Sequence, residues 1–416
     1  MPNADAELPS SLKVPSQKAR LEALQLLARD KDIDLIPVFK YLLETDSSTL
    51  VRREAMSALG RLRQNSLKEL FKEYLSNQDS KIALQALRAL LPITTDSEIS
   101  SLLEPLRDHE SEVIRGAVDK ILEKKNTSRK TKVNELNREP YYNLSIQGDA
   151  LNTLKKLPDG LIHLTFTSPP YYNARDYSIY KSYEGYLKVL ADIFKETHRA
   201  TAEGRYLIVN TSPVIVPRFS RDHSSTRYPI PFDLHALLSK QGWEFIDDLV
   251  WLKPEASVKN RNGGFFQHRK PLAYKPNSVT EMLMVYRKKT NRLIDWNLKQ
   301  YSSETIAASL VPDGYETSNV WKIDPRNDKV HSAVFPEALC ERVIDYYSMV
   351  GDLVFDPFAG SGTLGRVALK RDRNFLMTEM DSTYFESLTD RLLKISSQIG
   401  ARAVKFGRLE DLPKQK

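Results

Sequence analysis

The chain has 416 residues, 41% of them hydrophobic and 28% charged, with a net charge of +7; these values suit a folded chain of two or three domains. No apolar run approaches the ~18 residues of a membrane span, and the opening Met1-Pro2-Asn3-Ala4-Asp5 lacks the basic-then-apolar pattern of a secretory signal. A lone Cys340 excludes an internal disulfide framework and fits a reducing, cytoplasmic setting, and without paired Cys/His ligand spacing no metal is expected.

The elements begin with a repeat. Val51, Ala55 and Leu59 share their spacing with Ile82, Ala86 and Leu90 and with Val113, Ala117 and Ile121, at offsets of 31 residues; Ala19, Ala23 and Leu27 form a looser copy. The i, i+4, i+8 spacing puts each trio on one helical face, and the small central Ala lets a neighbouring helix come close. Polar turns precede these helices, and a second apolar helix fits between copies. The unit resembles HEAT repeats, so residues 1–125 are expected to form an all-α solenoid, a binding surface with no chemistry of its own. A partner endonuclease, another protein or DNA are the occupants considered.

Residues 126–140 read as a basic linker. From Tyr141 the pattern changes to short apolar runs at 161–166, 205–210, 245–251, 281–286, 353–355 and 374–377, interleaved with helical stretches. That alternation predicts a mostly parallel, doubly wound α/β domain over 141–400, with 401–416 as a tail.

Residues 161–173 read as an apolar strand ending in a stiff loop, Ser168-Pro169-Pro170-Tyr171. The prolines fix φ and donate no N–H, which leaves the loop rich in carbonyl acceptors. Such parts suit methyl transfer to an exocyclic amine, whose lone pair is delocalised into its ring. Hydrogen bonds accepted from the amine by the Ser168 side chain and the Pro169 carbonyl localise that pair. Tyr171 can stack on an extruded base, worth roughly 1–3 kcal/mol. A bare Pro-Pro-Tyr is more often only a turn.

Residues 251–300 carry eleven Lys or Arg against three Asp or Glu, a larger surplus than the whole chain has. This is the footprint of a polyanion-binding surface or of a solvated Lys-rich face. Lys253, Arg261, Asn262, His268, Arg269 and Lys270 are candidate DNA contacts, the cations for phosphates and Arg or Asn for base edges. Residues 289–320 are a candidate target-recognition element.

Residues 353–370 read as strand, glycine turn and helix. Gly360, Gly362 and Gly365 satisfy the dinucleotide-binding pattern, with Glu379 about twenty residues on, so a nicotinamide dinucleotide is a rival ligand. Asp356 argues otherwise: at the strand end a carboxylate attracts an ammonium and repels a pyrophosphate. Glu379, with Asp381 as its understudy, is placed to accept ribose hydroxyl protons.

Asp356-Pro-Phe358-Ala-Gly360-Ser-Gly362-Thr363, together with Ser168-Pro-Pro-Tyr171, resembles the DNA amino-methyltransferase family in its permuted, beta-type order. The likeness covers about residues 141–397. It implies a Rossmann-like S-adenosylmethionine-dependent fold preceded by the HEAT-like solenoid, double-stranded DNA as substrate, and no metal or covalent nucleophile. It also implies cofactor contacts from Asp149 on the adenine side, from His331 and Phe335 on the methionine side, and from Phe358 and Thr363. Ser at 168 implies cytosine N4 as the target, in a restriction-modification or epigenetic setting, with adenine N6 the alternative. More distant alternatives are an RNA or protein methyltransferase, a nicotinamide-dependent oxidoreductase and a non-catalytic scaffold.

Overall fold

The computed structural model describes residues 8–126, 136–172, 180–216, 220, 222–223, 225–258, 276–325, 335–400 and 403–412. The chain forms two compact units, Met1–Thr131 and Lys132–Lys416.

The first unit is a stack of helices. Helices Thr49–Leu62 and Ser80–Leu90 bury the expected trios, each residue at most 1% exposed. Ser48 and Asp79 start these helices by accepting backbone amides at their N-termini. Close approach falls on Gly60, where an added Cβ would lie 2.8 Å from the Ala89 Cβ. Arg20 pairs with Asp46 and Arg53 with Asp79, both 2.8 Å and both 26 residues apart, so one ionic link recurs between successive units. The terminal copies depart from the expected frame. Val113 is 54% exposed, and Ile114 and Val118 take the buried face; in the first copy Leu24 and Ala28 are buried instead of the Ala19, Ala23, Leu27 trio. Among the described residues these end helices have a repeat neighbour on one side only, and their buried stripe follows that neighbour.

The second unit is built on a sheet that has nine strands among the described residues. Eleven strands are described: β1 (Leu144–Gln147), β2 (Ile162–Thr167), β3 (Thr201–Thr211), β4 (Val214–Val216), β5 (Thr226–Tyr228), β6 (Trp243–Leu252), β7 (Thr280–Lys288), β8 (Val320–Lys322), β9 (Leu353–Asp356), β10 (Asn374–Glu379) and β11 (Lys405–Arg408). The order is β11-β1-β10-β9-β2-β3-β7-β6-β8, with β4 and β5 forming a separate hairpin. Within the nine-stranded sheet β7 runs antiparallel to both neighbours and the other pairings are parallel.

Side chains alternate between two cores, as the period of two in a strand requires. Val354, Ile208, Leu283 and Val285 join helices Glu337–Tyr347, Thr363–Lys370 and Ser382–Gln398. Leu353 and Phe355 face helix Ala150–Lys156, while Leu207, Val209, Met284 and Tyr286 face helices Tyr183–Ala200 and Ile230–Lys240. Both faces are covered, hence the near-continuous apolar runs in the sequence.

The chain leaves β9 for β10 on one side and β2 for β3 on the other. Between β9 and β2 the winding therefore reverses, and such a point opens a crevice at the carboxyl ends of the strands.

Candidate active site

The ends of β9 and β2 meet in one hydrogen bond: the Thr167 hydroxyl donates to Asp356 Oδ1 at 2.6 Å. The Phe358 amide donates to the same oxygen at 3.0 Å, while Oδ2 has no partner among the described residues. Asp356 is 1% exposed. Burial pushes its carboxyl up to about 7, against the pull of Thr167 and Phe358. An unpaired oxygen on a buried carboxylate is an acceptor prepared for a cation.

The glycine turn follows at once. Gly360 and Gly362 take left-handed φ of 48° and 70°, a region closed to most side chains, and Gly362 caps helix Thr363–Lys370. Gly365 allows that helix to lie on β10, since an added Cβ would meet Met377 Cε at 2.5 Å. The Gly360 amide donates to Glu379 Oε2 at 2.7 Å and the Asp381 amide to Oε1 at 2.9 Å. Burial raises the Glu379 carboxyl despite these bonds. Asp381 instead accepts from the Tyr384 amide at 3.0 Å and caps the helix that follows.

Asp149 stands next to this corner. Gln147 is the register partner of Glu379, and the Gly148 amide donates to the Glu379 carbonyl at 2.9 Å. The Asp149 side chain caps helix Ala150–Lys156 through the Asn152 amide at 2.8 Å. Phe335 lies over the end of β2, its ring 4.7 Å from that of Phe166. Phe358 packs between the two cores on the helix 150–156 side of the sheet. Thr363 is buried, within hydrogen-bonding distance of Ser361 and Arg366, so it braces the turn.

Beyond β2, Ser168 and Tyr171 meet two residues not singled out from the sequence. Asn210, near the end of β3, donates from Nδ2 to Glu281 Oε2 at 2.7 Å and approaches Ser168 Oγ at 3.4 Å. The Tyr171 hydroxyl donates to the same Glu281 oxygen at 3.0 Å. Burial first, then Glu281, pushes that hydroxyl far above the usual phenol range, so it remains a donor. The signal for both residues was an interruption: a polar Asn closes the apolar run 205–210, and a carboxylate opens the run 281–286.

Lys253 departs from its expected part. Its ammonium lies 2.6 Å from Glu281 Oε1 and 5.0 Å from the Trp251 ring centre, with the side chain 15% exposed. A cation already paired and half-buried is not a ready phosphate contact. A cavity of about 460 Å³ opens beside it, lined in part by Pro254, Asn277, Lys322 and Asp324. Arg261, Asn262, His268, Arg269, Lys270 and His331 lie outside the described residues. Among the described residues no cluster of His, Cys, Asp and Glu could hold a metal, and no helix is long and apolar enough to cross a membrane.

Residues 162–390 match the DNA methylase family, and residues 7–91 and 36–123 match HEAT repeats. The Type II beta methyltransferase M.BslI of Bacillus sp. (strain NEB-606) is 28% identical over 60% of this chain, but the match spans only 27% of that protein. Type II methyltransferase M.Cfr9I of Citrobacter freundii is 29% identical over 59% of this chain and 86% of its own. For M.ScaI of Streptomyces caespitosus the figures are 30%, 61% and 83%. A Thermus thermophilus protein crystallised with S-adenosyl-L-methionine shares the fold, at TM-score 0.52 and 24% identity over 64% of this chain and 98% of that one.

Proposed function

This chain belongs to the DNA methylase family, and from that premise we propose that it methylates the exocyclic N4 of a cytosine extruded from double-stranded DNA, with S-adenosylmethionine as donor. The carrying observation is the meeting of Asp356 and the Ser168 loop, through Thr167, at the reversal of the sheet. Family membership removes the ground for a dinucleotide ligand.

The residues fit the donor. The free oxygen of buried Asp356 suits its ammonium, Glu379 and Asp149 flank the place for ribose and adenine, and Phe335 and Phe358 supply apolar walls. His331 joins this set by resemblance. When bound, S-adenosylmethionine supplies an electrophilic sulfonium methyl group.

The chain's own groups then do the rest. Ser168 Oγ and the Pro169 carbonyl accept the amine hydrogens and turn its lone pair toward the methyl group. Pro170 keeps the loop stiff. Tyr171 holds the base by stacking, which offsets part of the few kcal/mol of extrusion. Alignment is the main demand, and fixed geometry supplies up to roughly 7–11 kcal/mol of such a barrier. Arg261, Asn262, His268, Arg269 and Lys270 are proposed to hold the DNA backbone and read base edges.

Cytosine is favoured over adenine by Ser at position 168. The test is incubation with labelled S-adenosylmethionine and duplex DNA, digestion to nucleosides, and identification of the labelled one. Label in N4-methyldeoxycytidine is expected; label in N6-methyldeoxyadenosine replaces the target, and no label on DNA overturns the reading.

A further inference from the structure

Glu281 is where the catalytic loop is tied to the antiparallel side of the sheet. Its Oε1 takes the Lys253 ammonium at 2.6 Å. Its Oε2 takes the Asn210 amide at 2.7 Å and the Tyr171 hydroxyl at 3.0 Å. The four residues come from four places in the chain: the loop after β2, the end of β3, the residue after β6 and the start of β7. Charge-assisted hydrogen bonds of this kind are short and directional.

We propose that Glu281 is a positioning residue for methyl transfer, fixing the Tyr171 ring and the Asn210 amide so that Ser168 and Tyr171 meet the base in one geometry. The proposal rests on the function given above. The physical need is plain. The prolines stiffen the loop backbone but leave the Tyr171 ring free to turn about its own side-chain bonds, and a stacking platform that turns loses alignment. A tether at the hydroxyl end removes that freedom. Glu281 is itself held by Lys253, which explains a lysine placed under a Trp251 ring and away from solvent.

Asn210 carries a second mark of this role. It is 2% exposed, and its Oδ1 has no hydrogen-bond partner among the described residues. A buried amide oxygen left unpaired is uncommon and needs a reason. Here the donor side of the amide is committed to Glu281 and turned toward Ser168, and the oxygen is left over. The carboxylate acts as a fixed acceptor in this arrangement: each of its contacts comes from a donor, and none comes from the substrate side.

The test is a double-mutant cycle on the full chain, read by single-turnover methylation of a duplex oligonucleotide. Glu281→Ala is expected to slow the methyl-transfer step about 10²-fold, the scale of an ångström of misplacement, and to leave S-adenosylmethionine affinity within about twofold. Tyr171→Phe keeps the ring and loses the tether. In that background Glu281→Ala should cost clearly less than it does in the wild type, the remainder being the lost Asn210 contact, because coupled residues are not additive. Glu281→Gln keeps volume and one acceptor oxygen and should recover most of the rate. Full additivity, or loss of cofactor binding in Glu281→Ala or Glu281→Gln, overturns the proposal. A readout independent of activity is fluorine NMR of protein containing 3-fluorotyrosine, the Tyr171 signal being the one missing in Tyr171→Phe. It should be an ordered resonance in the wild type and a motionally averaged one in Glu281→Ala. An unchanged signal refutes the tether even in an active enzyme. A wild type that does not methylate DNA refutes the proposed function and leaves the fluorine result to judge the tether by itself.

Discussion

The two units bury polarity to different extents. Among the described residues up to 126, the enclosed polar side chains are few, Ser48 and the ion-paired Asp46 among them, whereas the sheet unit encloses Asp356, Asn210, Thr167, Arg205 and Asp352 among others. The solenoid leaves its Arg53–Asp79 pair partly exposed and encloses Arg20–Asp46, with side chains 13% and 4% exposed, beside an interior of Leu, Ala, Ile and Phe. Burying a polar group is costly unless it is satisfied. The solenoid thus has the pattern of a unit selected for stacking, and the sheet unit bears polar strain where chemistry is proposed.

The sharpest break of that comparison is Asp356→Asn. The amide keeps an oxygen for Thr167 and Phe358 but has no charge for an ammonium, so S-adenosylmethionine affinity should fall roughly 10²–10³-fold, the scale of breaking a buried ion pair. Calorimetric titration checks it. In the wild type affinity should weaken as pH falls below about 7, because a proton then competes with the ligand, and the variant should lack this dependence. Stability runs the other way. The folded-state pKa is raised above the unfolded one, so the stability associated with protonated Asp356 is complete at low pH and is lost as pH climbs from about 4 to about 7. At pH 8 the unliganded Asn variant should therefore be the more stable, by up to ~4 kcal/mol, while near pH 4 the two should melt alike.

In the solenoid the large effects should come from apolar contacts. Leu87 is 1% exposed in the central helix Ser80–Leu90, and Leu87→Ala should cost about 2–5 kcal/mol with cofactor affinity unchanged. Urea unfolding followed beside titration checks both. The smallest expected effect is Arg53→Ala. Its side chain is 28% exposed and that of Asp79 is 18%, so solvent screens the pair and roughly 1 kcal/mol or less should be lost. A loss of several kcal/mol there would mean that the ionic links hold the stack together, and the contrast between the units would fail.

Legibility in the sequence followed the range of the interactions. Trios at Val51 and Ile82 were readable because helical burial repeats within one segment, but the same rule put Val113 inside, where the last helix of the stack exposes it. The strands covering the runs 161–166, 205–210 and 281–286 were readable as such. The short β1, β8 and β11 were not, since, unlike the equally short β9 before its glycine turn, no local motif marks them and they are strands only through their neighbours. Ser168 and Asp356 stood out because each lies in a local motif. Asn210 and Glu281 read only as the polar ends of apolar runs, Glu281 within a segment that resembles the family, and their contact comes from meeting across 71 residues of chain.

Sequence by itself determined the two-unit organisation, the stiff Pro169-Pro170 loop and the glycine turn, because local backbone geometry and periodicity need no distant partner. Tertiary structure decided which charges are free. Lys253 read as a candidate DNA contact and Asp381 as the understudy of Glu379, and in the structure one is paired with Glu281 and the other caps a helix. Tertiary structure also set the state of Asp356, whose carboxyl is pushed up chiefly by burial in the packed sheet, against the pull of Thr167 and the Phe358 amide. The physical reason is that burial and pairing are properties of packed neighbours, and in this sheet those neighbours are drawn from strands far apart in the sequence.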